Sequence, residues 1–434
     1  MDILTRMIYK PIAHILNAFG KGSDFPGREA LKMDKDLLKK FQNPPIVIAV
    51  TGSSGKSSTA YMIYKILKDN NYKVQMNLKG SNLTAGITSV YLKACNIFGK
   101  TKLDALVLEV DERYTEEVFK SIKPTHIVLT NITRDQPPRQ GNYRKIYNTL
   151  KNAITDDATL IINADDPIIT SLSENFNNKK IFFGCCRTKY STDNTNSNCL
   201  DMLYCEKCHH KLKYNYVHTG CTGDYYCSNC DFKRKELDYA ITNIENNVLT
   251  INENYQVKST HSMPYYYFDL LNAFAVTSLL GVNENEIVKS LNDIEVVNKR
   301  ADNIEYNGRK CEILNGKNEN APSYNQLVNY VKEDNNTKTI VFGFEYISMR
   351  YKYQDISWLY DIDFELLTNV DKIICVGDWA NDIAARFNVA GFDKEQIMVC
   401  KDFTNLKECL DNSNGTIYAL LNMGTEVPFK ESIK

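Results

Sequence analysis

Three features are missing from this 434-residue sequence, and each absence excludes a class of protein. No apolar run approaches the roughly 20 residues that a membrane-spanning helix requires, which excludes an integral membrane protein. The N-terminus has neither the apolar core nor the small-residue cleavage site of a signal peptide, which predicts a cytoplasmic location. Neither charge dominates, with 52 Lys and Arg against 53 Asp and Glu, so no bulk positive field attracts nucleic acid or an anionic membrane surface.

The length and the thirteen cysteines bound the kind of protein further. A chain this long exceeds one ordinary core, so two or three domains are expected. Without an export signal, the cysteines indicate reduced thiols and metal ligands rather than a disulfide framework. We predict three parts: a helical N-terminal segment over residues 1–41, a main domain over 42–299 and a C-terminal domain over 300–434.

Apolar runs alternate with helical periodicity along most of the chain, which predicts an α/β fold with parallel sheets. The N-terminal segment begins with four apolar residues at helical spacing, Ile8, Ile12, Ile15 and Leu16. The predicted strands cover residues 46–50, 103–110, 126–130, 159–162, 247–251, 311–314, 339–342 and 372–376. The predicted helices cover residues 58–69, 269–280, 323–332, 362–368 and 380–388. Residues 185–235 break the alternation and are interpreted as an inserted small module.

A segment rich in glycine and serine lies between the first predicted strand and the next helix. It reads Thr51-Gly52-Ser53-Ser54-Gly55-Lys56-Ser57-Ser58. The two glycines allow backbone N–H groups to point at phosphate, Lys56 supplies a cation, and Ser57 offers a hydroxyl to Mg²⁺. The full phosphate-loop pattern has glycine where this chain has Val50, so a plain Gly/Ser turn is the alternative. The strand-loop-helix context favours nucleotide binding and ATP use.

Acidic residues follow several predicted strands. Glu109 ends an apolar run, with Asp111 and Glu112 just beyond it. A carboxylate at this end of a strand, beside a phosphate loop, is placed to bind Mg²⁺, and a solvated acidic turn is the alternative. Asp135 is expected to face the same crevice. For Asp165-Asp166-Pro167, a nucleotide role and a turn started by Asp before Pro are both open.

The inserted module contains two Cys-x-x-Cys pairs, Cys205 with Cys208 and Cys227 with Cys230, separated by 18 residues. This spacing is typical of a four-cysteine zinc site, and it predicts a zinc ribbon over about residues 200–235. Since all four tetrahedral positions are filled by thiolates, the predicted role is structural rather than catalytic. Four unlinked thiols are the alternative.

Several of these segments together resemble the ATPase domain of Mur ligases. They are the loop Thr51 to Ser57, Glu109, Thr130-Asn131 with Arg134-Asp135-Gln136, Asn163-Ala164-Asp165-Asp166-Pro167 and Leu271-Asn272-Ala273. A four-cysteine ribbon inside that domain narrows the resemblance to the Mur-ligase-like subunits of lipid II isoglutaminyl synthases. Further resemblance to those subunits lies in Gly20-Lys21-Gly22, Pro26-Gly27, Asp355-Ile356-Ser357-Trp358 and Asp361-Ile362-Asp363-Phe364-Glu365. The implied fold is a Mur-ligase-type P-loop ATPase domain with an inserted zinc ribbon, followed by a Rossmann-like C-terminal α/β domain.

The resemblance also implies a function. Those subunits use ATP and ammonia to amidate the α-carboxylate of D-glutamate in the lipid II stem peptide, a step of peptidoglycan biosynthesis. The implied route transfers the γ-phosphate of ATP to the carboxylate, and the acyl phosphate is then open to ammonia. The ammonia comes from a GatD-like glutaminase subunit in a heterodimer. The implied place of action is the inner face of the cell membrane, reached through the lipid-linked substrate only, with no nucleic acid involved.

The family pattern assigns roles to individual residues of this chain. Residues 52–58 hold phosphates, with Lys56 catalytic, and Ser57 and Glu109 bind Mg²⁺. Asn272 and Asp302 are expected near adenosine. Asp355 matches an aspartate that helps complete the Cys-His centre of the partner, and a turn or helix-cap residue is its alternative.

Departures from the family pattern lie in the C-terminal part. Ile347-Ser348, Lys352-Tyr353 and the ending Leu421 to Thr425 differ from it, and Glu319-Asn320 follow a retained Lys317-Asn318. Cys375 precedes Val376-Gly377, but a cysteine of a core strand is favoured over a glutaminase nucleophile, so ammonia is expected from a second polypeptide. Two other functions stay open: a Mur-type ligase that joins another amine to a carboxylate, and a zinc-ribbon adaptor with a degenerate ATPase fold.

Overall fold

The computed structural model describes residues 2–18, 24–77, 80–134, 142–193, 203–260, 264–294, 301–317, 319–345 and 355–434. Predictions that fall on Gly20-Lys21-Gly22, Asp135-Gln136, Asn318, Ile347-Ser348 and Lys352-Tyr353 lie outside these ranges. In the part of the chain that the structure describes, no helix combines the length and apolarity needed to cross a bilayer.

The first unit, residues 46–294, is built on a nine-stranded sheet. Its strands, in chain order, are β1 (Ile46–Thr51), β2 (Val74–Met76), β3 (Ala105–Glu109), β4 (His126–Leu129), β5 (Thr159–Asn163), β6 (Lys180–Cys185), β9 (Tyr239–Glu245), β10 (Val248–Ile251) and β11 (Tyr255–Lys258). Across the sheet their order is β11-β10-β9-β6-β5-β4-β1-β3-β2. The ladders from β2 to β9 are parallel, and β10 and β11 add an antiparallel edge.

Helices cover both faces of this sheet. They are α3 (Lys56–Asp69), α4 (Thr84–Ala94), α5 (Thr115–Ser121), α6 (Tyr143–Ala153), α7 (Pro167–Ser173), α8 (Pro264–Leu279) and α9 (Glu284–Asn292). Because side chains alternate along a strand, Val47 and Ala49 of β1 enter one hydrophobic core, and Ile48 and Val50 enter the core on the opposite face. A strand buried on both faces is uniformly apolar, which is why these strands could be predicted.

Two helices precede the sheet, α1 (Asp2–Ala18) and α2 (Phe25–Met33), and α2 packs closely on α4. The predicted helix at Ile8 to Leu16 is therefore confirmed. Its buried side, however, includes Arg6 and Ala13, whereas Ile8 and Ile15 are 40% and 57% exposed. Arg6 donates to the carbonyls of Ile97 and Lys40, so long-range polar contacts rather than apolar spacing orient this helix.

The inserted module contains an antiparallel hairpin, β7 (Leu212–Thr219) and β8 (Thr222–Cys227). Among its described residues the module has a small core of five buried residues, two of them cysteines: Cys205, Leu212, Tyr225, Cys227 and Phe232. Modules with cores of this size usually need a further cross-link.

The second unit, residues 301–434, contains a six-stranded sheet. Its strands are β12 (Ala301–Tyr306), β13 (Arg309–Asn315), β14 (Lys338–Gly343), β15 (Val370–Val376), β16 (Ile397–Cys400) and β17 (Thr416–Leu421), in the order β12-β13-β17-β14-β15-β16. Only the β12–β13 pair is antiparallel. The helices are α10 (Ala321–Val331), α11 (Ala380–Val389), α12 (Leu406–Asp411) and α13 (Met423–Ser432).

The helix predicted over residues 362–368 is wrong. The chain there forms only one short 3₁₀ turn, Phe364–Leu366, which follows another at Ser357–Asp361. The Phe364 ring is inserted between Phe342 and Phe387, at centroid distances of 5.0 and 4.1 Å. This tertiary packing overrides the local helical pattern.

Candidate active site

The loop between β1 and α3 has the conformation that its two glycines permit. Gly52 has φ +135° and Gly55 has φ +83°, both in the region that disfavours side chains. A Cβ atom at Gly52 would collide with the Thr130 hydroxyl, and one at Gly55 would collide with the Asp269 carboxylate. These two positions therefore require glycine for conformational and for steric reasons.

The segment after β4 holds the loop from one side. Ser53 N donates to Asn131 O (2.9 Å) and Ser54 N donates to Asn131 Oδ1 (3.0 Å). The Thr130 hydroxyl donates to Ser54 O at 2.7 Å, and Thr133 N donates to Ser53 Oγ at 3.0 Å. The Thr130-Asn131 motif thus fixes the backbone of the loop at its centre.

Two lysines lie against the loop, one from each unit. Lys56 Nζ contacts the Gly52 carbonyl and forms an ion pair with Glu112 Oε2 at 2.9 Å, with both side chains largely buried. Lys317 Nζ reaches from the second unit and donates to Ser53 O at 2.6 Å. Only Lys56 was assigned a role from the sequence. The retained Lys317-Asn318 pair was the available signal for the second cation, and Glu112 was noted only as an acidic neighbour of Glu109.

The predicted magnesium ligands lie together beside this loop. Glu109, at the end of β3, is 5% exposed, and Ser57 Oγ donates to its Oε2 at 2.8 Å. Asn82 donates to Glu109 Oε1 at 3.0 Å, while Asn77 bonds to the backbone of Glu109 in both directions at 2.8 Å. A carboxylate and a hydroxyl oxygen, oriented by amides, are the donors that Mg²⁺ prefers, so these residues suit that ion.

Asp166 caps a helix and also supports the segment that holds the loop. Asp166 caps α7 by accepting from the backbone N of Ile168 (2.8 Å) and Ile169 (3.1 Å), with Pro167 in the first turn. Its second oxygen accepts from Ile132 N at 3.0 Å, in the segment that holds the loop. The turn expected from Asp before Pro is present, and it also supports the phosphate loop.

A crevice between the two units opens next to the loop and contains about 1270 Å³ of space free of protein atoms, part of it open to solvent. The first unit contributes polar and aromatic residues, among them Ser54, Gly55, Ser58, Phe268 and Asn272. The second unit contributes the start of α10. Asn272 is 2% exposed and its Oδ1 is buried without a hydrogen-bond partner, so a ligand amine or hydroxyl that enters the crevice has an acceptor ready.

Two residues predicted from the family pattern are not among the described residues that line this crevice. Asp302, on β12, pairs with Lys430 at 2.8 Å and is not among the crevice-lining residues of the described chain. Asp355 accepts from Ser357 N at 2.8 Å and so begins the first 3₁₀ turn, which matches the turn or cap alternative. Cys375 is fully buried on β15, and burial raises the pKa of its thiol. It therefore lacks the environment of a nucleophile.

The four cysteines of the inserted module converge. Their Sγ atoms all lie within 4.8 Å of one another, with 3.5 Å between Cys205 and Cys230, 3.4 Å between Cys208 and Cys227, and 3.6 Å between Cys208 and Cys230. Tetrahedral Zn²⁺ with Zn–S bonds of about 2.3 Å requires sulfur separations of about 3.8 Å, so the cluster matches it closely. Hydrogen bonds from the backbone N–H of His210 and from Asn229 lower the pKa of the Cys208 thiol to about 6, whereas burial raises the pKa of Cys205 and the neighbouring cysteines raise the pKa of Cys230 to about 12. The positions of the four sulfur atoms, rather than their acidity, therefore indicate a metal site.

A buried polar cluster attaches this module to the first unit. Asp165 is fully buried and forms an ion pair with Arg234 at 2.7 Å, and its Oδ2 accepts from Cys185 N at 2.7 Å. Arg234 also donates to Cys185 O (2.9 Å) and to the Tyr216 hydroxyl (2.7 Å). Burial raises the pKa of Asp165, opposed by the charges of Arg234 and His218, and burial lowers the pKa of His218. On the surface, Arg144 makes a bidentate contact with Glu206 at 2.8 and 2.9 Å.

Two family models match the chain in succession. One, described as "Mur ligase middle domain", matches residues 50–230, which include the loop, Glu109 and all four clustered cysteines. The other, described as "MurT ligase C-terminal", matches residues 318–424. The chain belongs to the Mur ligase family. By this membership it is an ATP-dependent ligase.

Curated relatives match nearly the whole chain. The lipid II isoglutaminyl synthase (glutamine-hydrolyzing) subunit MurT of Staphylococcus aureus (strain COL) is 28% identical over 425 residues, 96% of this chain and 94% of that protein. The subunit of the same name from Streptococcus pneumoniae (strain ATCC BAA-255 / R6) is 27% identical over 413 residues, 92% of this chain and 89% of that protein. Among solved structures, a pseudomurein peptide ligase type C from Methanothermus fervidus has a similar fold, with a TM-score of 0.68 at 21% identity over 92% of this chain and 80% of that one.

Proposed function

We propose that this Mur ligase family member is the synthase subunit of a lipid II isoglutaminyl synthase. It uses ATP to convert the α-carboxylate of D-glutamate in the lipid II stem peptide into an amide, with ammonia from a GatD-like glutaminase subunit. The observation that carries the proposal is the match to MurT subunits over 96% of the chain. The presence of two lysines, Lys56 and Lys317, against the phosphate loop supports it.

The chemistry proceeds in two steps. A carboxylate oxygen of D-glutamate attacks the γ-phosphorus of ATP, the bond to the bridging oxygen breaks, and ADP leaves with the electron pair. Ammonia then attacks the acyl carbon, loses a proton, and expels inorganic phosphate. Lys56 and Lys317, whose Nζ atoms both contact the loop backbone, would stabilise charge on the transferring phosphoryl group.

Two metal ions belong to the proposal. Ser57 and Glu109 would hold Mg²⁺, which neutralises phosphate charge when bound. Cys205, Cys208, Cys227 and Cys230 would hold a structural Zn²⁺ as a zinc ribbon, which supplies the cross-link that the small core of the module lacks. Asn272 would accept from the nucleoside inside the crevice, since its Oδ1 has no protein partner.

The second unit carries the rest of the proposal. We assign residues 300–434 to a Rossmann-like C-terminal domain that binds the glutaminase, and residues 42–299 to the ATPase domain. Asp355 would approach the catalytic histidine of the glutaminase from the N-terminal end of its 3₁₀ turn. The complex would act at the inner face of the membrane because its substrate is lipid-linked.

The test is amidation of lipid II, followed by mass spectrometry, since replacing a hydroxyl by an amino group lowers the mass by about one dalton. The chain is incubated with lipid II, ATP and Mg²⁺, with either ammonium chloride or glutamine plus the glutaminase. We expect product with ammonium alone, and product from glutamine only when the glutaminase is present.

The matched variants are Lys56→Ala and Lys65→Ala, two lysines of the same helix α3. Lys65 pairs with Asp69 on the surface, so only Lys56→Ala is expected to abolish the product. ATP turnover without amidated lipid II would contradict the assigned substrate. It would favour a Mur-type ligase that joins a different amine or carboxylate.

A further inference from the structure

The hairpin of the four-cysteine module extends into the crevice. Strands β7 and β8 pair from Leu212 opposite Cys227, at the cysteine end, to Thr219 opposite Thr222, at the far end. The residues of that far end, 219–222, line the crevice together with Ser54 and Gly55 of the phosphate loop, and we call them the hairpin turn. One hairpin therefore carries a cysteine of the cluster at one end and a wall of the crevice at the other.

The part of the crevice that the hairpin turn faces suits a nucleoside. Lys56, Ser57 and Glu109 are absent from the described residues that line it, so the residues proposed to hold the transferring phosphate and Mg²⁺ lie outside this part of the crevice. The lining instead offers the Phe268 ring and the unpartnered Oδ1 of Asn272. An apolar face with a few polar groups at its edge is the usual surround of a planar base and its sugar.

Hydrogen bonds connect the hairpin turn to the phosphate loop. Gly223, next to the turn, donates its N–H to Asp165 O at 2.9 Å. The adjacent Asp166 accepts from Ile132 N at 3.0 Å, and residues 130–133 hold the loop from there. A shift of the hairpin would therefore displace both a wall of the crevice and the support of the phosphate loop.

The cysteine end sets the position of the hairpin. Cys227 is the last residue of β8, so a metal on the cysteines fixes the strand about 17 Å from the turn, at about 3.4 Å per residue. At the other end of the hairpin, next to the hairpin turn, the His218 ring packs edge-on against Phe268 of the crevice wall, with 6.2 Å between ring centroids. The metal would thus hold the turn against the wall that receives the nucleoside.

We propose that the hairpin turn forms one wall of the nucleoside-binding part of the crevice, and that metal at the four cysteines and ATP bind with positive coupling. This inference rests on the proposed use of ATP. Coupling between two binding equilibria is reciprocal, so metal tightens ATP binding by the same factor by which ATP tightens metal binding.

The first experiment measures ATP binding to the full chain by calorimetry with Mg²⁺, after zinc content has been determined. Thr219→Trp places a large ring in the crevice, whereas Lys213→Trp places the same ring on the exposed side of the same strand. At unchanged zinc content, we expect Kd for ATP to rise about tenfold in Thr219→Trp, because the ring occupies space that the nucleoside needs, and to stay within about twofold in Lys213→Trp.

The second experiment follows zinc release to a chromophoric chelator with and without MgATP. In the unmodified chain, ATP is expected to slow release about five- to tenfold, and this protection is expected to be lost in Thr219→Trp. The inference is overturned if MgATP does not change the rate of zinc release, or if the Kd for ATP is the same in Thr219→Trp as in the unmodified chain. Neither result contradicts the proposed function. An unmodified chain that binds zinc but not ATP overturns both.

Discussion

Removal of Arg234 provides a quantitative test of how the four-cysteine module is attached. Arg234→Met keeps much of the aliphatic length but leaves Asp165, which is fully buried, without its ion-pair partner. A buried charge that loses its partner costs about 3–5 kcal/mol. Asp165 can avoid part of this cost by taking up a proton, which for a carboxyl of ordinary pKa near 3.9 costs about 4.2 kcal/mol at pH 7. We therefore expect the free energy of unfolding to fall by about 4 kcal/mol at pH 7.

The pH dependence distinguishes this cause from a simple loss of packing. Without Arg234, the pKa of Asp165 in the folded state is raised further, so the folded chain holds a proton that the unfolded chain releases above about pH 3.9. Stability of the variant relative to the unmodified chain must then decrease as pH rises. At pH 5 the same proton costs only about 1.5 kcal/mol, so the deficit is expected to shrink to about that value.

Urea denaturation followed by far-UV circular dichroism measures the deficit. Both tryptophans of the chain, Trp358 and Trp379, lie in the second unit, so their fluorescence reports that unit separately. Arg187→Met is the matched control, because Arg187 and its partner Asp193 are largely exposed and such pairs contribute less than about 1 kcal/mol. A deficit under about 1 kcal/mol, or one that is equal at pH 5 and pH 7, would refute the reasoning.

Three further predictions concern other parts of the molecule. Lys317→Met should lower kcat for amidation about 100-fold, because Lys317 brings a second cation to the phosphate loop. The control variant Lys394→Met should keep the kcat of the unmodified chain. Equal kcat values for the two variants would contradict the role proposed for Lys317. Gly27→Ala should destabilise the chain by about 3 kcal/mol in urea denaturation, because the added Cβ would lie 1.9 Å from Ala85 O and 2.8 Å from Ser89 N. An unchanged midpoint would show that α2 shifts freely on α4. Burial lowers the pKa of His218, so the stability that its neutral form contributes is complete above about pH 6.5 and is lost as pH falls. His218→Gln should therefore reduce the decline of Tm between pH 7.5 and 5.5. An identical decline in the variant and the unmodified chain would contradict this role of His218.

Local sequence patterns were sufficient for the central strands, for the conformation of the loop between β1 and α3, and for the clustering of the four cysteines. The runs that became β1, β3, β4 and β5 are apolar because both faces of those strands are buried, and this leaves a signal that needs no partner to be recognised. The phosphate loop was predictable for a similar reason. Gly52 and Gly55 satisfy backbone requirements that lie within a few residues of themselves. Close pairing of the cysteines likewise follows from their short spacing in each pair.

The remaining features depend on contacts between distant segments. Lys317 meets Ser53 across 264 positions, and Arg234 meets Asp165 across 69, so no local pattern could pair them. Asp302 was expected near adenosine, yet β12 places it against Lys430 of the last helix. The sequence could not predict that the hairpin turn lines the crevice, because the position of the turn is set by the whole inserted module. Its sequence, Thr219-Gly220-Cys221-Thr222, reads as an ordinary turn.

The contact between Lys317 and Ser53 has a consequence for wasteful hydrolysis. A phosphate loop that possessed all of its cations within one unit could pass phosphate to water whenever ATP was bound. Of the two lysines proposed to stabilise the phosphoryl group, Lys317 belongs to the other unit, so by this proposal both reach the loop only while the two units are together. That is also the arrangement in which residues of both units line the crevice. The division of two lysines between two units can therefore act as a safeguard that ties ATP consumption to an assembled site.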